Sequence, residues 1–196
     1  MQSLIDLADQ QLIELYMNGN KEAISILITR HKEKIYTSIY LMVKDKYLAE
    51  DMFQDTFIRI IDKLNNGIYT ENGKFLPWAM RMAHNLCIDH FRKVKRKPVI
   101  RSNYSEDIFD SMNFSEAPVE DKIMQDQSHQ NVRKLLDLLP QDQREVLIMR
   151  NYANLSFKEI SELMNCSINT ALGRMRYGLM NMRKMMTEEQ IACRMI

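Results

Sequence analysis

The chain is poor in the residues that staple, punctuate or strain a fold. Its three cysteines, Cys87, Cys166 and Cys193, are odd in number and form no C-x-x-C pair. They read as buried or incidental thiols in a reducing compartment, not as disulfide partners. Five glycines and four prolines in 196 residues argue against a loop-rich or disordered chain. No apolar run approaches the roughly 20 residues that span a bilayer, and MQSLIDLADQQ lacks the basic start and apolar core of a signal peptide. There is no glycine-rich phosphate loop and no nucleophile–base motif. His84, Cys87 and His90 are the one tempting cluster, yet steps of three do not set all three on one face with a carboxylate. The expectation is a soluble cytoplasmic protein, not an enzyme, with no cofactor, no metal site and no membrane insertion.

A net charge of +1 is silent about nucleic acid, but its distribution is not. Arg92, Lys93, Lys95, Arg96, Lys97 and Arg101 follow His90 with no acid between them, whereas 102–127 holds seven acids and one lysine. A basic patch therefore sits beside an acidic segment in sequence.

What is present is helical periodicity. Residues 4–18 read as a short first helix, broken at Asn18-Gly19-Asn20, with Asn20 able to cap a long helix to about Val43. Lys44-Asp45-Lys46 forms a turn. A third helix, about Tyr47 to Leu64, carries Phe53, Phe57, Ile60 and Leu64 on one side and Glu50, Asp51, Gln54, Asp55 and Asp62 on the other. Asn65-Asn66-Gly67 stops it, and a loop to Phe75 follows. In Leu76–Lys97, Leu76, Met80, Ala83, Cys87, Phe91 and Val94 recur at helical steps as an inward stripe. Opposite them stand Trp78, Arg81, Asn85, Asp89, Arg92 and Arg96. An aromatic, an amide and guanidiniums on one face can stack on bases, read base edges and hold phosphate.

Residues 98–127 lose the periodicity and read as a flexible acidic linker. Helical pattern returns with Val132, Leu135, Leu136 and Leu139, then about Gln141–Asn151. Ser156 and Glu159 make an S-x-x-E capping box. Asn165-Cys166 is a turn, and Ser167 can cap a last helix to about Met186. Short helix, turn and longer basic helix make the helix-turn-helix pattern. Ile168, Ala171, Met175, Gly178 and Met182 form its inward seam. Asn169, Thr170, Gly173, Arg174, Arg176 and Tyr177 remain for DNA. The fold class is all-α: a helical domain over 1–97, the linker over 98–127 and a helix-turn-helix domain over 128–190.

AEDMFQDTFIRIIDKL, then FLPWAMRMAHNLCIDHFRKVKR, then LPQDQREVLIMRNYANLSFKEISELMNCSINTALGRMRYGLMNMRK, resembles the extracytoplasmic-function (ECF) group of sigma-70-family sigma factors. The resemblance implies the compact form with only sigma domains 2 and 4. It implies that Asp51, Gln54 and Asp55 dock on the clamp helices of the polymerase β′ subunit, and that domain 4 meets the β flap. Trp78, Arg81, Asn85 and Asp89, with Arg92, Lys93 and Arg96, would open and read the minus-ten element, Asn85 lying near a flipped base. The Asn65–Phe75 loop would be the specificity loop. Ser167, Asn169, Thr170, Gly173, Arg174, Arg176 and Tyr177 would serve the minus-thirty-five element. The implied partners are core RNA polymerase, promoter DNA and an anti-sigma factor. Leu172 and Gly173 depart from the basic residue and serine of many relatives, and Leu172, Leu179 and Met186 widen the apolar seam instead. The rival function is an autonomous helix-turn-helix regulator, which would usually dimerise on palindromic sites.

Overall fold

The protein is described by a computed structural model covering residues 4–69, 74–96 and 131–194, with side chains as far as Thr187. The acidic linker, Lys97 and part of the Asn65–Phe75 loop lie outside the described residues. A 3-10 turn at Leu4–Asp6 precedes α1 (Asp9–Met17), α2 (Lys21–Val43), α3 (Lys46–Asn65) and α4 (Phe75–Arg96). Then come α5 (131–138), α6 (Gln141–Asn151), α7 (Phe157–Leu163) and α8 (Ile168–Arg194). The described residues contain helices and turns and no strand.

Local chemistry sets most boundaries. Asn20 Oδ1 accepts from the Glu22 amide at 3.0 Å and Asp45 Oδ1 from the Leu48 amide at 2.9 Å, so each helix start has a side-chain cap. Lys44 ends α2 in the left-handed region at φ 62°, and Gly67 follows α3 at φ 67°. The single helix expected over 4–18 is in fact two pieces. Arg30 on α2 donates to the carbonyls of Ile5 and Leu7 at 2.8 and 2.9 Å, capturing oxygens that a continuous helix would use itself. Its other nitrogen meets Asp9 Oδ1 at 2.6 Å, and His31 Nε2 lies 2.7 Å from Asp9 Oδ2. Burial raises the Asp9 pKa, but His31 and Arg30 outweigh it and hold it below the ordinary 3.8. Its contribution to stability is thus present above that value and lost as pH falls through the lower, folded one.

Leu12, Leu27, Ile35, Ile39, Ile60, Phe75 and Met80 are fully buried between α1, α2, α3 and α4. Each such aliphatic or aromatic side chain contributes about 1.5–3 kcal/mol as an upper bound. In the C-terminal half Leu136, Leu139 and Leu147 form a second cluster, onto which Met175 and Met182 pack. Val132, the first apolar residue of the returning helical pattern, is 39% exposed. The Ser156–Glu159 capping box is present, with the Ser156 amide donating to Glu159 Oε2 at 2.8 Å. Asn165 turns the chain at φ 50°, and the Thr170 amide donates to Ser167 Oγ at 3.0 Å to open α8.

Gly178 marks the closest approach of α8 to α6. A Cβ there would lie 2.9 Å from Leu147 Cδ1 and 3.4 Å from Gln143 Cβ. Because Leu147 is itself 1% exposed, it has nowhere to move. Gly178→Leu is expected to destabilise this half by about 1–3 kcal/mol. Urea unfolding followed by circular dichroism checks it, and an unchanged midpoint would show that α6 and α8 are not in this contact.

Candidate nucleic-acid and polymerase interface

On α3, Asp51, Gln54 and Asp55 are all exposed, on the side opposite Met52, Phe57 and Ile60. Two residues missed in the sequence extend this face. Tyr47 is 82% and Ile58 57% exposed, so positions 47, 51, 54, 55 and 58 form one stripe with an apolar side chain at each end. The signal was available: those positions fall at helical spacing around the acids.

On α4, Asn85, Asp89 and Arg92 are exposed at steps of four and three, and Lys93 and Arg96 continue outward into the basic end. Arg92 Nη1 lies 3.5 Å from Asp89 Oδ1, both side chains more than half exposed, a pair worth little in water. Arg81 is half-buried. Trp78 requires a correction. It does not stand on the open side of α4 but is 7% exposed, edge-on to Tyr69 at 4.9 Å and tilted against Phe75 at 6.1 Å. The helix buries a second stripe, Phe75, Trp78, Ala79 and Met82, beside the expected Met80, Ala83 and Cys87. Val94, placed on the inward stripe, is 46% exposed. The indole therefore offers no stacking surface in this conformation.

Cys87 is buried on the inward stripe, as expected. His84 does meet a carboxylate, one supplied by the other half of the chain: its Nε2 lies 3.0 Å from Glu145 Oε2, and both side chains are buried. Gln141 Nε2 donates to the second Glu145 oxygen at 2.7 Å. Burial raises the Glu145 pKa, but the His84 hydrogen bond and charge outweigh it and leave it below the ordinary 4.5. Burial, with Glu145 nearby, pushes the Cys87 thiol up to about 12, so it stays protonated and unreactive at neutral pH. Among the described residues no cluster of His, Cys, Asp or Glu is arranged to hold a metal ion, and no helix is long and apolar enough to cross a membrane.

On α8, Ser167, Asn169, Thr170, Arg176 and Tyr177 are exposed, and Gly173 faces open space. Arg174 is paired with Asp142 of α6. Ile168, expected in the inward seam, is 45% exposed, since the seam turns inward only from Ala171. Leu172, Leu179 and Met186 are 43%, 37% and 46% exposed, on the outside of α8.

Comparison with known proteins accounts for both halves. The Sigma-70 region 2 family matches residues 27–97 and the Sigma-70, region 4 family residues 129–174. The chain is 30% identical over 183 residues to the RNA polymerase sigma factor CarQ of Myxococcus xanthus, covering 91% of this chain and 98% of CarQ. It is 32% identical over 133 residues to the ECF RNA polymerase sigma factor SigM of Bacillus subtilis, covering 68% and 76%. The sigma factor RpoE of Bartonella quintana, solved in complex with the anti-sigma factor NepR, shares the fold at a TM-score of 0.66 and 16% identity, over 84% of this chain and 96% of that one. The chain belongs to the extracytoplasmic-function group of sigma-70-family sigma factors, which give RNA polymerase its promoter specificity and are themselves non-catalytic.

Proposed function

We propose that residues 1–97 act as sigma domain 2 and 128–190 as sigma domain 4, tethered by 98–127. The exposed acidic stripe of α3, with Tyr47 and Ile58 at its ends, is the docking face for the β′ clamp helices of core polymerase. Asn85 reads a base of the non-template strand at the minus-ten element, with Asp89 beside it and Arg92, Lys93 and Arg96 tracking phosphate. Arg81 and Trp78 support that helix from within. Asn169, Thr170, Arg176 and Tyr177 enter the major groove at the minus-thirty-five element, with Ser167, Gly173 and Arg174 at the edge of that surface. The chain works in the cytoplasm without cofactor or catalytic chemistry of its own, under an anti-sigma factor of the kind seen with its structural relative.

The observation that carries this reading is the exposed amide of Asn85 in line with a cationic helix end, on a helix otherwise packed into a core. Opening a base pair costs a few kcal/mol per step, so one helix needs the polymerase as its partner. The test is run-off transcription with purified core enzyme on fragmented source DNA. Transcripts should start a fixed distance from a shared upstream motif. Asn85→Ala should reduce them roughly 5- to 150-fold, the value of one base contact of about 1–3 kcal/mol. Core enzyme that gains no initiation, while the protein alone footprints DNA, would replace this reading with the autonomous regulator.

A further inference from the structure

The outer side of α8 is mixed in chemistry. Asn169, Leu172, Gly173 and Arg176 follow one another at steps of three, one and three, the spacing that sets four residues on one helical face. Ala171, Met175 and Gly178 turn the other way. Ala171 is fully buried, Met175 packs on the core of the C-terminal half, and Gly178 lies against Leu147. The outer face occupies the first turns of the helix, the part that meets base edges when such a helix lies in a major groove. At one end the Asn169 amide can pair with adenine, and at the other the Arg176 guanidinium can take guanine or phosphate. Leu172 stands between them and can do neither.

A single exposed leucine needs no explanation by itself. Its place between an amide and a guanidinium on a groove-facing helix does. Leu172 is 43% exposed, so much of its side chain is free to meet a ligand. In the major groove an A·T pair shows an apolar group, the C5-methyl of thymine, which a G·C pair lacks. Leucine gains by covering that methyl. Set against the cytosine amino group or the guanine keto oxygen, it would strip water from a polar atom and give no hydrogen bond back. The neighbouring glycine fits the same contact. Leucine is short, so it touches the groove floor only if the helix comes close. A Cβ at Gly173 would meet nothing within 4 Å, so no packing inside the chain calls for glycine there. Glycine also weakens a helix interior. What it provides is clearance for a close approach beside Leu172.

We propose that Leu172 is a specificity residue for the minus-thirty-five element, covering the 5-methyl group of one thymine while Gly173 lets the helix come that near. The proposal rests on the sigma-factor reading, which lays α8 in that groove. A basic residue at 172 would hold phosphate and carry no information about sequence. With leucine the chain gives up that contact and gains a choice of base. Leu179 and Met186 lie about 10 and 21 Å further along the helix axis, beyond the turns that reach base edges, and take no part in it.

The test uses holoenzyme assembled with the full chain, on the promoter that run-off transcription identifies. Each thymine of the minus-thirty-five region, on either strand, is replaced in turn by uracil, which pairs identically and lacks the methyl group. With the wild type, initiation at limiting holoenzyme is expected to fall about fourfold at one thymine. That is the fold-change of about 0.8 kcal/mol for one buried methyl group. Leu172→Ala should lose at least as much on the unmodified promoter, and uracil at that thymine should cost it nothing further, the pattern of two changes that remove one contact. Effects at other thymines should persist. Leu172→Lys should be equally blind to that methyl and steepen the salt dependence by about one phosphate contact. The wild-type scan needs no variant, so a variant that misfolds cannot hide the result. A scan that is flat at every thymine overturns the proposal. So does a uracil effect that survives in Leu172→Ala, since another residue then covers the methyl. A Leu172→Ala defect of equal size on every template would place the side chain against protein instead. A wild type that directs no initiation would count against the sigma-factor reading itself, and this proposal would fall with it, whereas a promoter with no methyl-sensitive thymine sinks this proposal alone.

Discussion

Asp51→Lys is expected to lower initiation by core polymerase roughly thirtyfold or more at limiting protein, with the melting temperature within about 2 °C of wild type. The side chain lies in solvent on α3, away from Met52, Thr56 and Ile60, so nothing in the core feels the change. Its effect falls on docking. Reversing a charge removes an attraction and adds a repulsion to a cationic partner surface, and such changes cost about 2–5 kcal/mol where the charges are desolvated. That range corresponds to roughly thirtyfold and upward in affinity. The defect should shrink as protein concentration rises, because occupancy of polymerase is what is lost. Asn85→Ala should behave differently, its defect persisting when polymerase is saturated, since it acts on DNA. A titration of each variant in run-off transcription separates the two. If the Asp51→Lys defect is unmoved by excess protein, the stripe on α3 is not a polymerase-docking face.

The difference between what the sequence showed and what it hid follows the range of each interaction. Helix starts were legible because Asn20, Ser156 and Ser167 act within three residues of themselves. The inward stripe of α3 was legible because that helix presents one main side to the core. Trp78 was misplaced because α4 packs on α2 and α3 and also reaches α7, so it buries two adjoining stripes rather than one. A single-stripe reading then assigns the second stripe to solvent. The His84–Glu145 pair was hidden for a different reason: its members are 61 positions apart and belong to separate periodic patterns. No local period encodes which two patterns will meet. The split of the first helix belongs to the same class, since the Arg30 that breaks it lies 23 and 25 residues from the carbonyls it binds.

The largest stability effect is expected at the corner where α4 begins. Phe75 is fully buried, 5.3 Å from the His31 ring and 6.1 Å from Trp78. His31 in turn holds Asp9 of α1, so one phenyl ring is the floor beneath contacts among α1, α2 and α4. Phe75→Ala removes that floor and is expected to cost about 3–5 kcal/mol, because a cavity between fixed helices collapses only partly. The melting temperature should fall roughly 10–20 °C. Trp78, the single tryptophan of the chain, reports the event from within the same corner. Its emission should redden at the lowered transition as the indole leaves Tyr69 and Phe75 for water. Phe75→Leu keeps most of the volume and should recover more than half of the loss. At temperatures where the variant is still folded, Asn85 keeps its helix and initiation should be near wild type. If Phe75→Ala melts within 2 °C of wild type, α4 is held by its later contacts with α2 and α3. Trp78 would then be buried by Tyr69 alone, and a swing of the indole toward an unpaired base would cost correspondingly little.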